Sequence, residues 1–292
     1  MILLLVVYGA IYTAIRDNRL WLWYGAVYTA VVLIMGAYVI VKRKNRYVRV
    51  RTATLMFFQL FLFFILHRFL LPRELGKVAG YPWPLNISSL YPGRPDWVLA
   101  YAVIFAFVFI PIVTYFWGRR VYCGWICSCG AIAETLGDPF RKRAPKSKTA
   151  NRLEIGMYIV LLIAILVTIA TWLGDRQLPV WYNLIVMFYI SGIIVMAAYP
   201  FMGGRIWCRF FCPAGAFIGA ISKRGRFAIS GDQEKCTECG ICTANCQMGI
   251  DVRDFISNGT KIKSDQCVGC GICISMCPVK ILKFEGGITA PR

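Results

Sequence analysis

Histidine and acidic residues are scarce in this chain of 292 residues. His67 is the only histidine, and 14 aspartates and glutamates stand against 33 lysines and arginines. A single histidine excludes a haem group held by two histidines. The charged fraction of 16% is also well below the value of about a quarter that is usual for soluble domains. We therefore do not expect a protein that is soluble throughout.

Two further signatures are missing. Gly203-Gly204 lacks the rest of a phosphate-binding loop, and no serine, histidine and acid are arranged as in a hydrolytic triad. These absences argue against a nucleotide-dependent enzyme and against a hydrolase. The formal net charge of +19 does not indicate a nucleic-acid partner, because basic residues also cluster where membrane helices reach the cytoplasm.

Hydrophobic residues make up 58% of the chain and concentrate in blocks that end near Tyr199. The blocks hold roughly 15 to 22 residues, and a helix needs about 20 apolar residues to cross a bilayer. The segments are Met1–Ile15, Leu20–Val41, Thr52–Leu71, Trp97–Trp117, Ile155–Leu173 and Trp181–Pro200. The sequence therefore predicts an all-α membrane domain at residues 1–230, with about six transmembrane helices, followed by a small domain at residues 231–292.

The basic residues of the loops predict the orientation in the membrane. Residues 42–51 hold six basic and no acidic residues, and residues 118–154 hold eight basic and three acidic ones. These loops share a side with the C-terminal domain, and the positive-inside rule assigns that side to the cytoplasm. We expect a multi-pass protein of the inner (cytoplasmic) membrane with both the N-terminus and the C-terminal domain in the cytoplasm. Met1–Ile15 is short for a span, so it is a tilted helix, half of a hairpin or an interfacial segment.

Eight of the 13 cysteines form two C-x2-C-x2-C-x3-C runs. The runs are Cys236, Cys239, Cys242 and Cys246, and then Cys267, Cys270, Cys273 and Cys277. In bacterial two-cluster ferredoxins the fourth cysteine of each run binds the cluster of the other run. We therefore expect Cys277 to join the first three cysteines of the first run around one [4Fe-4S] cluster, and Cys246 to join those of the second run. Zinc sites usually separate two cysteine pairs by a longer gap.

The stretch Lys235–Lys283 resembles the 2[4Fe-4S] ferredoxin fold, which implies an α+β domain. Thiolate ligands need a reducing compartment, in agreement with a cytoplasmic location. Gly240 and Gly271 lie between ligands, where the backbone has to turn tightly. Gln247 departs from the ferredoxin pattern, because a proline often follows the fourth cysteine of a run.

An internal repeat contains four of the remaining cysteines. Residues 118–131 and 203–216 both read G-x-R-[VI]-[YW]-C-x3-C-x2-G-A, at an offset of 85 residues. Each copy follows two hydrophobic segments, so the membrane domain is predicted to be a parallel repeat of helical hairpins. Such repeats place functional sites at their interface.

The repeated cysteines provide the ligand set of a third [4Fe-4S] cluster. They are Cys123, Cys127, Cys208 and Cys212. Arg120, Arg205 and Arg209 would offset the negative charge of this cluster. The alternative is that these cysteines are small packing residues at a helix interface.

Together these features resemble the membrane-bound polyferredoxins of the NapH/NosR/CcoG group, from about Thr52 onward. The motif residues are Cys123, Gly124, Trp125, Cys127, Cys208, Cys212 and Pro213. The chain lacks the large flavin-bearing periplasmic domain of the NosR branch and is more similar to the NapH branch. Ser128-Cys129 stands where the group has a proline after the second cysteine, so Cys129 is an alternative ligand to Cys127.

The resemblance implies an electron-transfer subunit of a quinol/quinone oxidoreductase complex. Such a subunit passes electrons between membrane quinol or quinone and a redox partner through its [4Fe-4S] clusters. The implied partners are the lipid bilayer, quinone and other redox subunits. Two functions of other classes stay open: a metal-handling assembly factor whose C-x3-C pairs bind or reduce copper, and a redox-sensing membrane regulator.

Quinol oxidation also needs a proton acceptor, and few residues are candidates. His67 lies near the outer end of its hydrophobic segment, where a histidine beside Arg68 also commonly snorkels to the interface. Glu134 and Asp138 follow the first C-x3-C and are alternative proton carriers. Their other interpretation is an ordinary solvated helix face.

Overall fold

The structure, a computed structural model, describes residues 18–70, 81–93 and 95–286, without the side chains of residues 18–21, 24, 67, 68 and 70. Five helices in these residues are long and apolar enough to cross a membrane. They are Gly25–Lys42, Arg46–Leu66, Asp96–Trp117, Lys148–Trp172 and Leu178–Met202. These helices confirm five of the six predicted segments and a multi-pass membrane protein. Met1–Ile15 lies outside the described residues, so a sixth span stays a prediction.

Several of the membrane-spanning helices change from α to π geometry along their length. The elements are α1 (Asn18–Lys42), α2 (Arg46–Phe58) continued by π-helical Gln59–Leu70, α3 (Asp96–Val103) continued by π-helical Ile104–Phe109 and by α4 (Ile110–Trp117), and α5 (Ser128–Thr135). Further along are α6 (Lys148–Leu153), α7 (Ile155–Trp172), α8 (Leu178–Tyr182) continued by π-helical Asn183–Ile194 and by α9 (Val195–Met202), and α10 (Pro213–Arg224). Short 3-10 helices cover Ile87–Leu90 and Asp138–Arg143.

The two copies of the sequence repeat adopt the same local structure. Helix α4 ends at Gly118 with φ +76° and α9 ends at Gly203 with φ +84°, a backbone conformation that favours glycine. A short π-helical turn follows in each copy, at Arg120–Gly124 and at Trp207–Phe211. The next helix, α5 or α10, then begins directly after the second cysteine.

Large apolar side chains cover the outer faces of these helices. Ile34, Leu166 and Phe201 are 68%, 56% and 77% exposed, as expected for side chains that face lipid. Inside, Val32 and Leu55 pack against Ala131 and Ile132 of α5. Helix α10 packs against α4 and α7. The repeated motifs are therefore held inside the protein, at the ends of the spans.

The C-terminal part is a small α+β unit. Strand β1 (Ala228–Ser230) pairs antiparallel with β2 (Lys283–Glu285), with Ile229 opposite Phe284. Its helices are α11 (Ile241–Ala244), α12 (Val252–Ser257) and α13 (Ile272–Met276). Helices α11 and α13 start after Gly240 and Gly271, at φ +70° and +74°, so both expected tight turns are present. The predicted domain boundary after residue 230 would separate β1 from its partner strand, and that boundary stays a prediction.

This unit packs directly on the ends of the membrane helices. The Tyr47 hydroxyl donates to the Gly269 carbonyl at 2.8 Å, and the Tyr47 ring lies 4.9 Å from that of Phe284. The Tyr158 hydroxyl donates to Asp265 Oδ2 at 2.7 Å. Aromatic and hydrogen-bonding contacts from two membrane helices therefore hold the C-terminal unit in place.

We expect Tyr47→Ala to weaken this packing by about 1 to 3 kcal/mol, because it removes aromatic contacts and one hydrogen bond. The measurement is the protease resistance and thermal unfolding of the C-terminal unit in the full-length, detergent-solubilised protein. Tyr38→Ala is the matched control, since Tyr38 is 50% exposed on α1. Equal behaviour of the two variants would contradict the role of Tyr47.

Candidate metal centres

Four cysteines line one cavity in the C-terminal unit. They are Cys236, Cys239, Cys242 and Cys277. Cys239 is exposed, so this cavity reaches the protein surface. The structure thus brings the fourth cysteine of the second run to the first three cysteines of the first run.

The other four cysteines of the runs line a second cavity. They are Cys246, Cys267, Cys270 and Cys273. Glu134, which belongs to membrane-domain helix α5, also lines this cavity. Burial raises the pKa of Cys267 to about 12, so a thiolate there needs a cation such as iron beside it. The ligand assignment stays a prediction, and these donor sets fit the two predicted cubanes.

The arrangement does not fit single metal ions. In the described part of the chain, no three histidine, cysteine or acidic side chains converge closely enough to bind one ion. A tetrahedral zinc site with bonds of about 2.3 Å would bring its sulfur atoms within about 4 Å of one another. Two sites with four cysteines each in their walls instead match the donor sets of two clusters.

The four cysteines of the repeat also lie together, at the ends of the membrane helices. Cys123, Cys127, Cys208 and Cys212 are between 5% and 6% exposed and belong to one buried cluster. Burial, and then the proximity of Cys208, Cys123 and Cys127, raises the pKa of the Cys212 thiol. Burial raises the pKa of Cys123 to about 11. Four buried thiols that affect one another's ionisation match the donor set of a third cluster.

Two arginines connect the two copies of the repeat reciprocally. Arg205 Nη1 donates to the carbonyl of Cys123 at 3.2 Å and lies 3.6 Å from Cys208 Sγ. Arg119 Nη2 donates to the carbonyl of Cys208 at 2.6 Å, and its guanidinium also bonds to the Cys123 thiol. Each arginine therefore contacts the thiol of its own copy and the backbone of the other copy.

Two of the three arginines predicted to lie beside the repeated cysteines have other partners. Arg120 lies over the rings of Phe227 and Phe284, at 4.6 and 5.1 Å. The Arg120 guanidinium therefore contacts the C-terminal unit and not the repeated cysteines. Arg209 pairs with Glu154 at 2.7 Å. Only Arg205 was assigned correctly.

Arg119 was missed because it lies outside the repeated pattern, in which only Arg120 is aligned with Arg205. Its side chain is fully buried. No described acidic side chain pairs with it, and its Nε has no hydrogen-bond partner among the described residues. A buried, unpaired guanidinium costs several kcal/mol. Thiolates that carry an anionic cluster beside Arg119 would provide the missing negative charge.

The second glycine of the repeat is explained by the same contacts. A Cβ at Gly130 would lie 2.5 Å from the Cys123 carbonyl oxygen, and a Cβ at Gly215 would overlap the Arg119 guanidinium. Both positions have to stay without a side chain so that the cysteine backbone and the arginines can approach.

Cys127 and Cys212 hold equivalent places, because each is the N-cap residue of the following helix. The Cys212 sulfur accepts a hydrogen bond from the Gly215 amide at 3.2 Å. A hydrogen bond from Cys129 lowers the pKa of Cys127 to about 7. Cys129 thus has the position of a donor to Cys127, which favours Cys127 as the ligand.

The proton-carrier candidates have a different environment from the one expected. Glu134 and Asp138 are 1% and 3% exposed, so the interpretation as a solvated helix face is wrong. Glu134 pairs with Arg51 at 2.6 Å, Arg141 at 2.7 Å and Arg205 at 2.7 Å. Burial raises the pKa of Glu134, but the three arginines outweigh this and hold it well below its usual range. The side chain of His67 lies outside the described residues.

Two family models match this chain. A 4Fe-4S binding domain matches twice, at residues 99–147 and 184–230. A 4Fe-4S dicluster domain matches residues 228–278. These matches confirm the predicted iron–sulfur cofactors, and the third cluster in the membrane part stays a prediction.

Three relatives illustrate the similarity. YccM of Escherichia coli is 27% identical over 58% of this chain and 52% of its own length. The regulatory protein NosR of Pseudomonas aeruginosa is 25% identical over 82% of this chain and 36% of its own length. The ferredoxin-type protein NapH of E. coli is 25% identical over 44% and 48%. The chain spans about half the length of the curated relatives it matches. No solved structure matches it.

The crossed grouping of cysteines generates a paired prediction. We expect Cys277→Ser to alter the cluster that ferricyanide attacks first, because exposed Cys239 shares its cavity. Cys246→Ser should alter the protected cluster. Iron content and the EPR spectrum of the reduced protein, before and after brief ferricyanide treatment, measure both effects. If Cys277→Ser altered the protected cluster and Cys246→Ser altered the cluster that ferricyanide attacks first, each run would bind its own cluster.

Proposed function

We propose that this chain, a member of the 4Fe-4S ferredoxin-type membrane proteins that include NapH and NosR, passes electrons between membrane quinol or quinone and a redox partner. The observation that carries the proposal is the position of the repeated thiols. They are buried at the ends of the membrane helices and lie directly against the second cysteine run. Arg119, for example, contacts both the Cys208 carbonyl and the Asp265 carbonyl, at 2.6 and 2.9 Å.

The three cysteine sites differ in exposure, and we order them from the interior to the surface on that basis. The repeated cysteines are the inner site, the cavity with Cys267 and Cys273 is the middle one, and the cavity with exposed Cys239 is the outer one. A bound [4Fe-4S] cluster supplies reversible one-electron transfer. The protein holds the thiolates, buries the inner sites and leaves the outer site accessible to a partner.

A polar group within the membrane helices supports quinol as the membrane-side reactant. Gln59 donates to Thr29 at 3.2 Å and accepts from the Ser128 hydroxyl at 2.6 Å. Ser128 lies between Cys127 and Cys129, so these polar atoms adjoin the inner site. Polar side chains inside a membrane are functional candidates by default, and quinol hydroxyls are the membrane-soluble groups they could bind.

The parallel repeat of helical hairpins belongs to the same proposal. Support comes from the 4Fe-4S binding domain that matches twice and from the reciprocal contacts of Arg119 and Arg205. Two copies related in this way each contribute two thiols, so neither copy alone could hold the inner cluster. Other redox subunits, which would accept electrons at the exposed outer site, complete the proposed assembly.

Replacement of the inner cysteines tests the three-centre arrangement. We expect Cys208→Ser and Cys127→Ser each to remove about four irons from the intact protein, because a cubane needs all of its thiolate ligands. The ferredoxin EPR signals should remain, and reduction of these clusters by a quinol analogue should slow. Cys129→Ser is the control and should retain the iron. Full iron content and full reduction rates in both variants would refute the proposal, and stoichiometric copper would indicate metal handling.

The proposed orientation predicts where reporter fusions become active. Fusions after Lys44, Lys146 and Arg292 should report the cytoplasm, because the adjoining loops are strongly basic. Fusions within residues 72–96 should report the periplasm. A periplasmic C-terminus would overturn the orientation and place the thiolates in an oxidising compartment.

A further inference from the structure

Glu134 lies between two of the cysteine sites and contacts an arginine from each side. We infer that Glu134 is a positioning residue that couples the reduction potentials of the inner and middle clusters. This inference rests on the proposed function and identifies how two of its centres influence each other.

An unbroken set of contacts connects the two sites through Glu134. On one side Arg205 lies 3.6 Å from Cys208 Sγ and donates to Glu134 Oε1 at 2.7 and 3.1 Å. On the other side Arg141 donates to Glu134 Oε2 at 2.7 Å and lies 3.9 Å from Cys270 Sγ. The carboxylate thus uses one oxygen for each cluster site.

Arg141 makes a second contact at the middle site. With its amide oxygen turned toward Arg141, Gln247 accepts hydrogen bonds from that guanidinium at 3.0 to 3.3 Å. Gln247 directly follows Cys246, at the position where ferredoxins often carry a proline. Gln247, which departs from the ferredoxin pattern, therefore provides a hydrogen-bond acceptor for Arg141 of the membrane domain.

These groups are shielded from water. The side chains of Glu134, Arg141 and Arg205 are 1%, 2% and 0% exposed. Charges interact more strongly in such an interior than at a surface, and salt screens them less. The charge of an electron added to one cluster would therefore act on the adjacent arginine and, through Glu134, on the arginine beside the other cluster.

Glu134 is the residue through which the charge at one cluster site affects the other site. It contacts both arginines, and it fixes each guanidinium in the orientation that reaches a cysteine sulfur. Hydrogen bonds to ligand sulfurs and the local net charge set the potentials of iron–sulfur clusters. Because coupling between two sites is reciprocal, reduction of either cluster lowers the affinity of the other for an electron.

Redox titration of Glu134→Gln, followed by EPR on the full-length protein, tests this inference. The substitution removes a buried negative charge, so the potentials of the inner and middle clusters should both rise. The outer cluster, which neither arginine contacts, should keep its potential. Glu154→Gln is the matched control, because Glu154 pairs with buried Arg209 at 2.7 Å and no contact links that pair to a cysteine sulfur in the described residues.

Arg141→Gln is the second variant and decides the question if Glu134→Gln fails to assemble. It removes a positive charge beside Cys270, so the potential of the middle cluster should fall, with a smaller fall at the inner cluster. Unchanged potentials, or an equal shift at all three clusters, would overturn the inference.

A titration driven by redox mediators does not depend on quinol. It therefore tests the coupling through Glu134 separately from the proposed electron transfer with quinol. A parent protein with about eight irons instead of about twelve would mean that the inner cluster, and with it the proposed relay, is wrong. About twelve irons with potentials that do not respond to Glu134→Gln would refute the coupling alone.

Discussion

Burying a guanidinium is tolerable only beside negative charge, and this requirement organises the whole interior. Among the described residues, five arginines are at most 2% exposed: Arg51, Arg119, Arg141, Arg205 and Arg209. Among the described residues that pair with them, Glu134, Asp138 and Glu154 provide only three negative charges. Anionic iron–sulfur clusters on the adjacent thiolates would supply the remainder. Cofactor binding and folding are therefore linked. Without a cluster, the buried arginines would lack compensating negative charge in an interior of low polarity.

The need for negative charge beside buried arginines also connects the membrane domain to the C-terminal unit. Glu134 belongs to a helix of the membrane domain but lines the middle cavity, and Arg141 contacts both Glu134 and Cys270. Tyr47 and Tyr158 add hydrogen bonds from membrane helices to the C-terminal unit. The ferredoxin unit is thus part of one continuous structure, and the wall of its middle site is completed by a residue distant in sequence.

Features with a local cause could be predicted from the sequence. Five membrane helices follow from the length of their apolar segments, and the crossed grouping of Cys277 and Cys246 follows from the spacing of the runs. Which of two adjacent arginines turns inward could not be predicted. Arg120 is drawn to Phe227 and Phe284, residues more than a hundred positions away, and Arg119 consequently faces the thiols. The burial of Glu134 likewise depends on Arg51 and Arg205, which lie 83 and 71 positions away, as well as on nearby Arg141.

The wall of the middle cavity has a consequence for biogenesis. Because Glu134 lines a cavity whose other residues come from the C-terminal unit, this compartment is closed only after that unit has settled on the membrane helices. A cubane is larger than a single ion and cannot pass between packed side chains. We therefore expect iron and sulfide to reach the middle site before the C-terminal unit docks, whereas exposed Cys239 leaves the outer site accessible after docking.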